Sequence, residues 1–498
     1  MRRLVGLVVV FATMGAYAQT ANSPSKLALS SAFITGSKTY TVAQLARTIG
    51  PHVGQQVTPA LLDQLAADIR AQYRQDGYVE PTVVPVDGES PSSTPRLHIF
   101  EAHISEIAVR GNPGPYFDAI MKLASPLQSG SIHKDRSRLY LRSIAELPGL
   151  TVQATFEPRG VDPSGYTLVL NVTYDAMNAT ASAHNRGTAE LGRTIIGAQT
   201  RFNGVLGMQE AVTLFGATAM EGSRYRYVGG RIEKRFGATY GSVEVVDSRA
   251  EPDRAWFYST HLVQAEARTA VFDNGTTRFE SLGFLSSRDS HADSFGTNSE
   301  VTRTRAIGAG FSGSTATSTS TTRLWSVINQ GIDDYGAFAS PTQGAAPALS
   351  FTTTTLGLIH VKALSPLWQL RCDFDGQWAS QDLPVAERFT FGGARFGKAF
   401  DPAELIGDSG AALSLQIIRQ VGKSIPWLEA SRVYMQADYG YAYDNHERVD
   451  QEAASITAGV SGRIAALFGS LELSQALETT NQERLGHPRA FFYLQTQF

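Results

Sequence analysis

The alternation of apolar and polar residues divides the chain into two regions with different periodicities. From about residue 30 to 175, apolar residues at helical spacings of three and four alternate with short extended runs. From about residue 178 to the C terminus the helical spacing is lost, and alternating segments separated by Gly, Asn, Asp and Ser take over. The pattern therefore predicts mixed α/β modules followed by a long all-β region.

The first region contains the same order of elements twice: a strand, two helices and two further strands. The predicted helices span residues 42–49, 59–76, 116–123 and 135–147. The predicted strands that follow them span residues 79–86, 97–109, 151–157 and 166–174. Each copy occupies roughly 75 residues, a period that indicates a repeated unit. We place the two modules at 30–102 and 103–177, with a turn-rich link over 88–95 inside the first.

The second region, 178–498, has the distributed signature of an outer-membrane β-barrel, in which apolar and polar residues alternate and strands end on aromatic residues. The clearest strands are predicted over 210–220, 225–236, 256–271, 433–441 and 491–498. In the fourth of these, Val433, Met435 and Tyr439 share one face, while Asp438 lies on the opposite, lumen-facing one. Sixteen strands would have about 20 residues each, enough for a tilted span and a connection. A soluble β-sandwich alternates too, but it does not explain so long a region in one regime.

The first eighteen residues predict a secretory signal peptide. Arg2 and Arg3 precede an apolar run over 4–11, and Ala16-Tyr17-Ala18 has the A-x-A form of a cleavage site. Cleavage after Ala18 leaves a short segment, 19–29, before the first module, too short for a helix that plugs the barrel lumen. The apolar run is shorter than the ~20 residues of a membrane-spanning helix. No later run is long enough either, so a membrane-spanning part must be a β-barrel.

Composition excludes several other functions. The chain has 43 Lys+Arg and 46 Asp+Glu, a net charge of −3, so nothing attracts it to nucleic acid. Its single cysteine, Cys372, excludes an intramolecular disulfide and a cysteine-based metal cluster. No HExxH or GxSxG motif is present, and the ten histidines are scattered. We therefore predict no enzyme activity, no catalytic residue, no metal and no cofactor.

Two stretches of the second region are distinctive: His184-Asn185-Arg186-Gly187 near the first predicted strand, and the segment 391–410. They resemble motifs of the ShlB/FhaC-type transporters of two-partner secretion, the hemolysin activation/secretion proteins of the BamA-like superfamily. The first resembles an Asp-Asn-Arg-Gly motif near the first barrel strand of that family, with Asn185, Arg186 and Gly187 matching. The second resembles the family's sixth extracellular loop, which folds back into the barrel. In this family two polypeptide-transport-associated (POTRA) modules precede a 16-stranded barrel. The two repeated units stand where those modules belong.

The resemblance also implies how the inward-folded loop is held. Gly397, Lys398 and Phe400 stand at the positions of a Val-Arg-Gly-Phe/Tyr motif, and Asp438 and Gly440 match a Phe-x-Asp-x-Gly motif on a later strand. The family's arginine pairs with this aspartate, so the resemblance implies a Lys398–Asp438 pair. Lysine is a point charge on a flexible stem and is less directional than arginine. The motif's glycine is Ala399 here, which denies the tip easy access to positive φ. The chain ends on a predicted barrel-assembly signal, formed by Phe492, Leu494 and Phe498.

The resemblance implies an outer-membrane pore whose periplasmic modules bind an unfolded exoprotein by strand addition and export it. The edges predicted to bind it belong to the final strands of the modules, 97–109 and 166–174. The implied partners are an adhesin- or hemolysin-like, β-helical exoprotein, the barrel-assembly machinery during biogenesis, and outer-membrane lipid, but no nucleic acid. Two alternatives remain open: an assembly factor for outer-membrane proteins or autotransporters, and a passive porin. Assembly factors of this superfamily typically carry more than two modules.

Overall fold

The chain forms two compact units, Met1–Tyr174 and Asp175–Phe498. The computed structural model describes residues 27–86, 94–160, 162–222, 224–237, 239–252, 256–294, 298–340, 346–421, 429–480 and 487–498. The predicted signal peptide lies outside the described residues, as do most of the segment 19–29 and of the link 88–95. The cleavage site, and the expectation that no plug helix precedes the modules, stay predictions.

The first module has the predicted order of elements. Its strands and helices are β1 (Phe33–Thr35), α1 (Val42–Ile49), α2 (Pro59–Gln75), β2 (Thr82–Pro85) and β3 (Arg96–Phe100). The hydroxyl of Thr58 caps α2 by accepting a hydrogen bond from the Leu61 N–H, and Pro59 occupies the first helical position. The apolar faces of both helices pack on a sheet of order β1-β3-β2, in which β1 is parallel to β3.

The second module repeats this arrangement. Its elements are β4 (His103–Gly111), α3 (Phe117–Ala124), α4 (Lys134–Ala145), β5 (Leu150–Arg159) and β6 (Asp162–Tyr174), in a sheet of order β4-β6-β5. Short 3₁₀ turns lie at Gly50–His52, Gly114–Tyr116 and Ser125–Gln128. Within the described residues, no helix has both the length and the apolar character needed to cross a membrane.

The predicted binding edges need correction. β3 and β6 are the central strands of their sheets, because each pairs with a parallel strand on one side and an antiparallel strand on the other. The extended run 97–109 is in fact two strands, β3 and β4, one in each module. The edges of the two sheets are β1, β2, β4 and β5. Among these, β5 is the longest, with ten residues.

A buried carboxylate joins the two modules. Glu101 lies between β3 and β4 and is 8% exposed. Its oxygens accept five hydrogen bonds, from Ser37 Oγ (3.1 Å), the backbone N–H groups of Lys38 (2.9 Å) and Thr39 (2.9 Å), Tyr73 Oη (2.6 Å) and Ser131 Oγ (2.7 Å). Four of these donors belong to the first module, while Ser131 belongs to the second. Burial raises the pKa of Glu101, but the hydrogen bonds from Ser131, Tyr73 and the two amides outweigh it and hold the pKa below its usual value.

We predict that Glu101→Ala lowers the stability of the modules by about 2–3 kcal/mol at pH 7, because it removes hydrogen bonds to a buried charge. The folded pKa lies below the unfolded value of about 4.3, so the ionised group stabilises the fold above that pH. This stabilisation is lost as the pH falls through the folded pKa. The four α-helices of the described residues all lie in the modules, so urea unfolding followed by helical circular dichroism of the full chain measures it.

The matched control is Glu157→Ala, which removes an exposed carboxylate on β5 that pairs with Arg110 on β4 of the second module. Such surface pairs contribute about 0–1 kcal/mol, so this variant should unfold close to the wild type. Equal effects of the two substitutions, or an effect of Glu101→Ala that does not shrink between pH 7 and pH 3, would contradict the role assigned to Glu101.

Sixteen strands close the second unit into an antiparallel barrel, as predicted. The first eight are β7 (Met177–His184), β8 (Ile195–Asn203), β9 (Glu210–Ala219), β10 (Tyr225–Phe236), β11 (Thr239–Ala250), β12 (Phe257–Asp273), β13 (Thr277–Ser294) and β14 (Asn298–Ala316). After them come β15 (Ser320–Gly331), the two-residue β16 (Phe338–Ala339) that pairs with β14, β17 (Thr352–Ala363) and β18 (Trp368–Ala379). Within the next connection lie a 3₁₀ turn (Val385–Glu387), β19 (Phe389–Phe391) and β20 (Leu405–Gly407). The last five barrel strands are β21 (Ser409–Gln420), β22 (Glu429–Asp444), β23 (Val449–Ile464), β24 (Leu467–Thr479) and β25 (Arg489–Gln497).

The two faces of the barrel wall follow the alternation in the sequence. On β22, Val433, Met435 and Tyr439 are exposed on the outer face, whereas Gln436 and Asp438 are buried on the lumen face. This confirms the two faces predicted for this strand. The barrel closes where β25 pairs with β7, over five residue pairs from Tyr493↔His184 to Gln497↔Thr180. We call this short pairing the seam.

Candidate functional site

The connection between β18 and β21, residues 380–408, folds into the barrel, and we call it the inward loop. It emerges at the end of the barrel opposite to the start of β7. Its two short strands, β19 and β20, pair with each other. The turns between them use glycines in left-handed conformations, and an added Cβ at Gly392 (φ 121°) would lie 2.2 Å from the Asp401 carbonyl oxygen. The predicted loop, 391–410, covers the inner part of this segment and extends into β21.

The tip of the inward loop lies against the barrel wall at Lys398. The backbone N–H of Lys398 donates a hydrogen bond to Asp438 Oδ2 (3.3 Å), but its Nζ pairs with Glu472 Oε1 on β24 (2.5 Å). The implied ion pair between the Lys398 and Asp438 side chains is therefore wrong, although both residues meet at the tip. Asp438 already accepts hydrogen bonds from Gln436 and Ser455, and the long lysine stem carries the ammonium past it to the next acidic side chain.

Glu472 collects three donors from distant parts of the chain. Besides Lys398, the guanidinium of Arg186 and the hydroxyl of Tyr434 bind its carboxylate. The side chains of Glu472, Arg186 and Lys398 are each about one-tenth exposed. Lys398 Nζ also lies 5.0 Å from the centre of the Tyr434 ring, close enough for a cation–π contact. We call Glu472, Lys398, Arg186 and Tyr434 the Glu472 cluster.

Sequence reasoning missed Glu472. It lies in the run Leu471-Glu472-Leu473, whose two leucines are exposed on the outer face of β24. A single carboxylate between two lipid-facing residues must point into the lumen, so the alternation did contain a signal for it. That signal does not say which cations meet it, because Arg186 and Lys398 are far away in the sequence.

Aromatic side chains of the loop pack on small residues of the wall. Phe389, Phe391, Phe396, Phe400 and Leu405 form a buried cluster with Ala412, Ala442, Ala453 and Ala476, which lie on the four strands β21 to β24. Phe400, predicted at the loop tip, is 1% exposed and its ring lies 6.1 Å from that of Phe391. Ala399 is buried in this cluster and has no positive φ, so alanine fits where the family motif has glycine. Gly397, with φ 66°, supplies the left-handed turn instead.

Gly440 makes room for this packing. A Cβ built on Gly440 would lie 2.3 Å from the ring of Phe391, so any side chain there displaces the ring. Gly440 thus has a direct steric role in seating the loop, at a position predicted from the strand motif.

The base of the loop is held by a second set of polar contacts. Asp408 is fully buried and accepts hydrogen bonds from the backbone N–H groups of Leu383 (2.7 Å) and Asn445 (2.7 Å). On the other side of the loop, Glu387 pairs with Arg288 of β13 (3.0 Å). The inward loop therefore contacts β13 as well as β21 to β24, and it lies across the barrel interior.

The residues of the predicted entry motif lie at the seam. The Asn185 side chain donates to the Ala490 carbonyl (3.0 Å) and accepts from the Phe492 N–H (2.8 Å), so it continues the pairing of β7 with β25. Gly187 is required by its turn, because a Cβ there would lie 2.0 Å from the Gly192 carbonyl oxygen.

The predicted assembly signal occupies β25 and the chain end. Leu494 and Phe498 are exposed, and the Phe498 N–H donates to the Ala179 carbonyl (2.9 Å). Nothing in the fold tests whether Phe492, Leu494 and Phe498 guide assembly, which stays a prediction. Within the described ranges, no group of three or more His, Cys, Asp or Glu side chains is placed to hold a metal ion.

Two family models match the chain. Residues 285–462 match the haemolysin secretion/activation proteins ShlB/FhaC/HecB, and residues 27–90 match the ShlB-type POTRA domain. The chain is a relative of the ShlB/FhaC-type proteins. This confirms the resemblance read from the motifs of the loop and of the first barrel strand. It also confirms that the barrel lies in the bacterial outer membrane, with the POTRA modules in the periplasm.

Solved structures share the whole architecture. CdiB from Escherichia coli is 16% identical with a TM-score of 0.77, covering 98% of this chain and 93% of its own. CdiB from Acinetobacter baumannii is 14% identical with a TM-score of 0.66, covering 96% and 91%. BamA from Haemophilus ducreyi lacking POTRA domains 1–3 is 11% identical with a TM-score of 0.52, covering 95% and 100%. At these identities the likeness shows a common fold, and a search of curated proteins found no match to the sequence.

We predict that Gly440→Ala loosens the inward loop. The added methyl group collides with the Phe391 ring, and overpacking of this kind costs about 1–3 kcal/mol. Trypsin should then cut the folded barrel after Arg395 or Lys398 faster than in the wild type, because a loosened loop frees the backbone on which cleavage acts. Mass spectrometry identifies the cut.

Gly283→Ala is the matched control, because the nearest atom to a Cβ at this barrel glycine is an ordinary 3.7 Å away. It should leave the loop protected. If both variants are cut at the wild-type rate, Gly440 does not govern the seating of the loop.

Proposed function

We propose that the protein is an outer-membrane translocation pore of the two-partner secretion type. It binds an unfolded exoprotein through its POTRA modules and exports it to the cell surface or the medium. The observation that carries the proposal is the inward loop, which crosses a polar lumen and is held there by a small number of polar and aromatic contacts. A closed pore that opens on demand requires an obstruction of this kind.

Capture of the exoprotein uses a free sheet edge. An unfolded segment that pairs with an edge strand gains main-chain hydrogen bonds without any strict demand on its sequence. β5 is the best edge for this, because it is the longest and its other side is already paired with β6. Phe156 on β5 is 38% exposed and offers an apolar contact to alternate side chains of the added strand.

The barrel wall opposite the β21–β24 side suits the passage of an extended chain. Its lumen face carries arginines that are paired with acidic side chains: Arg201 and Arg231 with Glu233, Arg231 with Glu244, and Arg278 with Glu280. Paired charges hydrate the path but leave little net charge to hold a passing polypeptide. Folding of the exoprotein outside the cell supplies direction, since the periplasm offers no ATP.

Two other functions share part of this structure. A passive porin would have an open lumen, and the loop across the barrel argues against it. An assembly factor for outer-membrane proteins would share both the modules and the loop, but it would differ in the proteins that depend on it. Deleting the gene and comparing the culture medium separates these functions, because a secretion pore has one large secreted client whereas an assembly factor affects membrane-inserted proteins.

We predict that Lys398→Ala raises the open probability of the pore in planar-bilayer recordings. The substitution removes one of the two cations that neutralise Glu472 and leaves the buried carboxylate with Arg186 as its only cation, which weakens the contact that holds the loop tip. A change of 1.4 kcal/mol in the closed state already alters the equilibrium tenfold. Lys362→Ala, which removes an exposed lysine on β17, is the control and should conduct like the wild type. Steady conductance in all three proteins would favour the porin.

We predict that Phe156→Ala reduces export several-fold without unfolding the module. Removing an aromatic contact of about 1–2 kcal/mol corresponds to a loss of about five- to thirty-fold in affinity for the added strand. The measurement is the amount of exoprotein in the medium at equal levels of barrel. Phe117→Ala removes a phenylalanine from α3 of the same module that is even more exposed (50% against 38%), and it should have no effect. Equal secretion by the two variants would exclude β5 as the binding edge.

A further inference from the structure

Arg186 makes three contacts at the tip of the inward loop. One guanidinium nitrogen pairs with Glu472 Oε2, and the other donates to the backbone carbonyl of Lys398 (3.1 Å). The Cζ atom of Arg186 lies 4.0 Å from the centre of the Phe491 ring on β25. One side chain from the end of β7 therefore touches the loop, the wall carboxylate and the last strand of the barrel.

The backbone around Arg186 is fixed by the seam. Its N–H donates to His184 Nδ1 (3.2 Å), and the preceding residue, Asn185, is hydrogen-bonded to the backbone of β25 on both sides of its amide. The guanidinium thus extends from a rigid part of the barrel, whereas Lys398 extends from a loop. Because the backbone of Arg186 belongs to the barrel wall and does not move with the loop, its side chain can fix the position of the loop tip.

Lys398 and Arg186 each bind a different oxygen of the Glu472 carboxylate. Lys398 occupies Oε1 and Arg186 occupies Oε2, so the carboxylate has one cation on each oxygen. A single guanidinium can occupy both oxygens of a carboxylate, whereas a single ammonium is a point charge without that planar fork. At Glu472 the loop contributes only the ammonium of Lys398, because the loop arginines Arg388 and Arg395 pair with other carboxylates.

We propose that Arg186 is a positioning residue for the inward loop, which supplies from the end of β7 the guanidinium that the loop does not bring to Glu472. It holds the loop through the Lys398 carbonyl and through the carboxylate that Lys398 also binds. Any effect of Arg186 on export rests on the proposed function, whereas its effect on the position of the loop does not. An alternative role, in which Arg186 only neutralises Glu472, requires a positive charge and nothing more.

The test compares Arg186→Ala, Arg186→Lys, Lys398→Arg and the double variant Arg186→Ala/Lys398→Arg in the full-length protein. Loop position is measured by the rate of trypsin cleavage after Arg395, which is the same residue in all variants. Opening is measured as open probability in planar bilayers. Arg193→Ala is the matched control, because Arg193 also follows β7 and lies 3.6 Å from Asp401 of the loop, but is half exposed.

We expect Arg186→Ala to raise both the cleavage rate and the open probability about tenfold. This is the size of effect expected when the coupling between two linked sites, here the loop tip and the barrel wall, is lost. Arg186→Lys should fall between this variant and the wild type, because it keeps the charge but loses the second donor. Lys398→Arg in the Arg186→Ala background should restore both quantities to within about threefold of the wild type, since a guanidinium at the loop tip can then occupy both oxygens of Glu472. Arg193→Ala should behave like the wild type.

Three results would overturn the proposal. They are a wild-type cleavage rate in Arg186→Ala, a wild-type cleavage rate and open probability in Arg186→Lys, or no recovery of either quantity when Lys398→Arg is added to Arg186→Ala. Folding of each barrel is checked by the mobility shift between heated and unheated samples on a detergent gel. If Arg186→Ala fails to fold, the double variant decides, because recovery of the fold supports the assignment and its absence overturns it. If trypsin cuts Arg186→Ala faster but the amount of exported exoprotein is unchanged, the role of Arg186 in positioning the loop is supported. The proposed function in export is then contradicted.

Discussion

The structure of the pore depends on one carboxylate that is almost removed from water. Glu472 faces the barrel lumen, and an isolated charge there would cost far more than the barrel could compensate. It is tolerated because cations from two separate segments reach it, one from the inward loop and one from the end of β7. Placing the loop in the lumen is therefore coupled to satisfying a buried charge. Any movement of the loop out of the lumen would remove one of the partners of Glu472.

Packing complements this electrostatic constraint. The aromatic side chains of the loop need a smooth surface, and the wall provides one by placing alanines at four neighbouring strands and a glycine opposite Phe391. Larger lumen-facing residues on these strands would push the loop outward, even with the charges in place. The polar contacts therefore specify the position of the tip, while the small residues provide the space for it. The base of the loop adds the buried Asp408, which ties both ends of the connection to the same side of the barrel.

Much of the fold followed from the sequence because it depends on local periodicity. The order of elements in both modules and the faces of β22 come from spacings within a few tens of residues, whereas the number of barrel strands came from the family resemblance and the length of the region only agreed with it. The central position of β3 and β6 was missed because the edge of a sheet depends on which strands pair, and a parallel partner such as β1 leaves no local signal. The partner of Lys398 was missed for the same reason. Asp438 and Glu472 both face the lumen, and only the length of the lysine stem and the other partners of Asp438 decide between them.

The loop brings a lysine to Glu472, where the family that the chain resembles has an arginine, and this changes which segments hold the loop in the lumen. A loop guanidinium could bind both oxygens of Glu472 by itself, so the strength of the contact between the loop and the wall would depend on the loop alone. With an ammonium on the loop and a guanidinium beside the seam, the position of the loop in the lumen instead depends on both segments together. Asn185 and Arg186 are adjacent, and the first pairs with β25 while the second contacts the loop. A disturbance of the seam therefore reaches the loop tip through a single peptide unit, and the separation of β25 from β7 and the release of the loop are expected to favour one another.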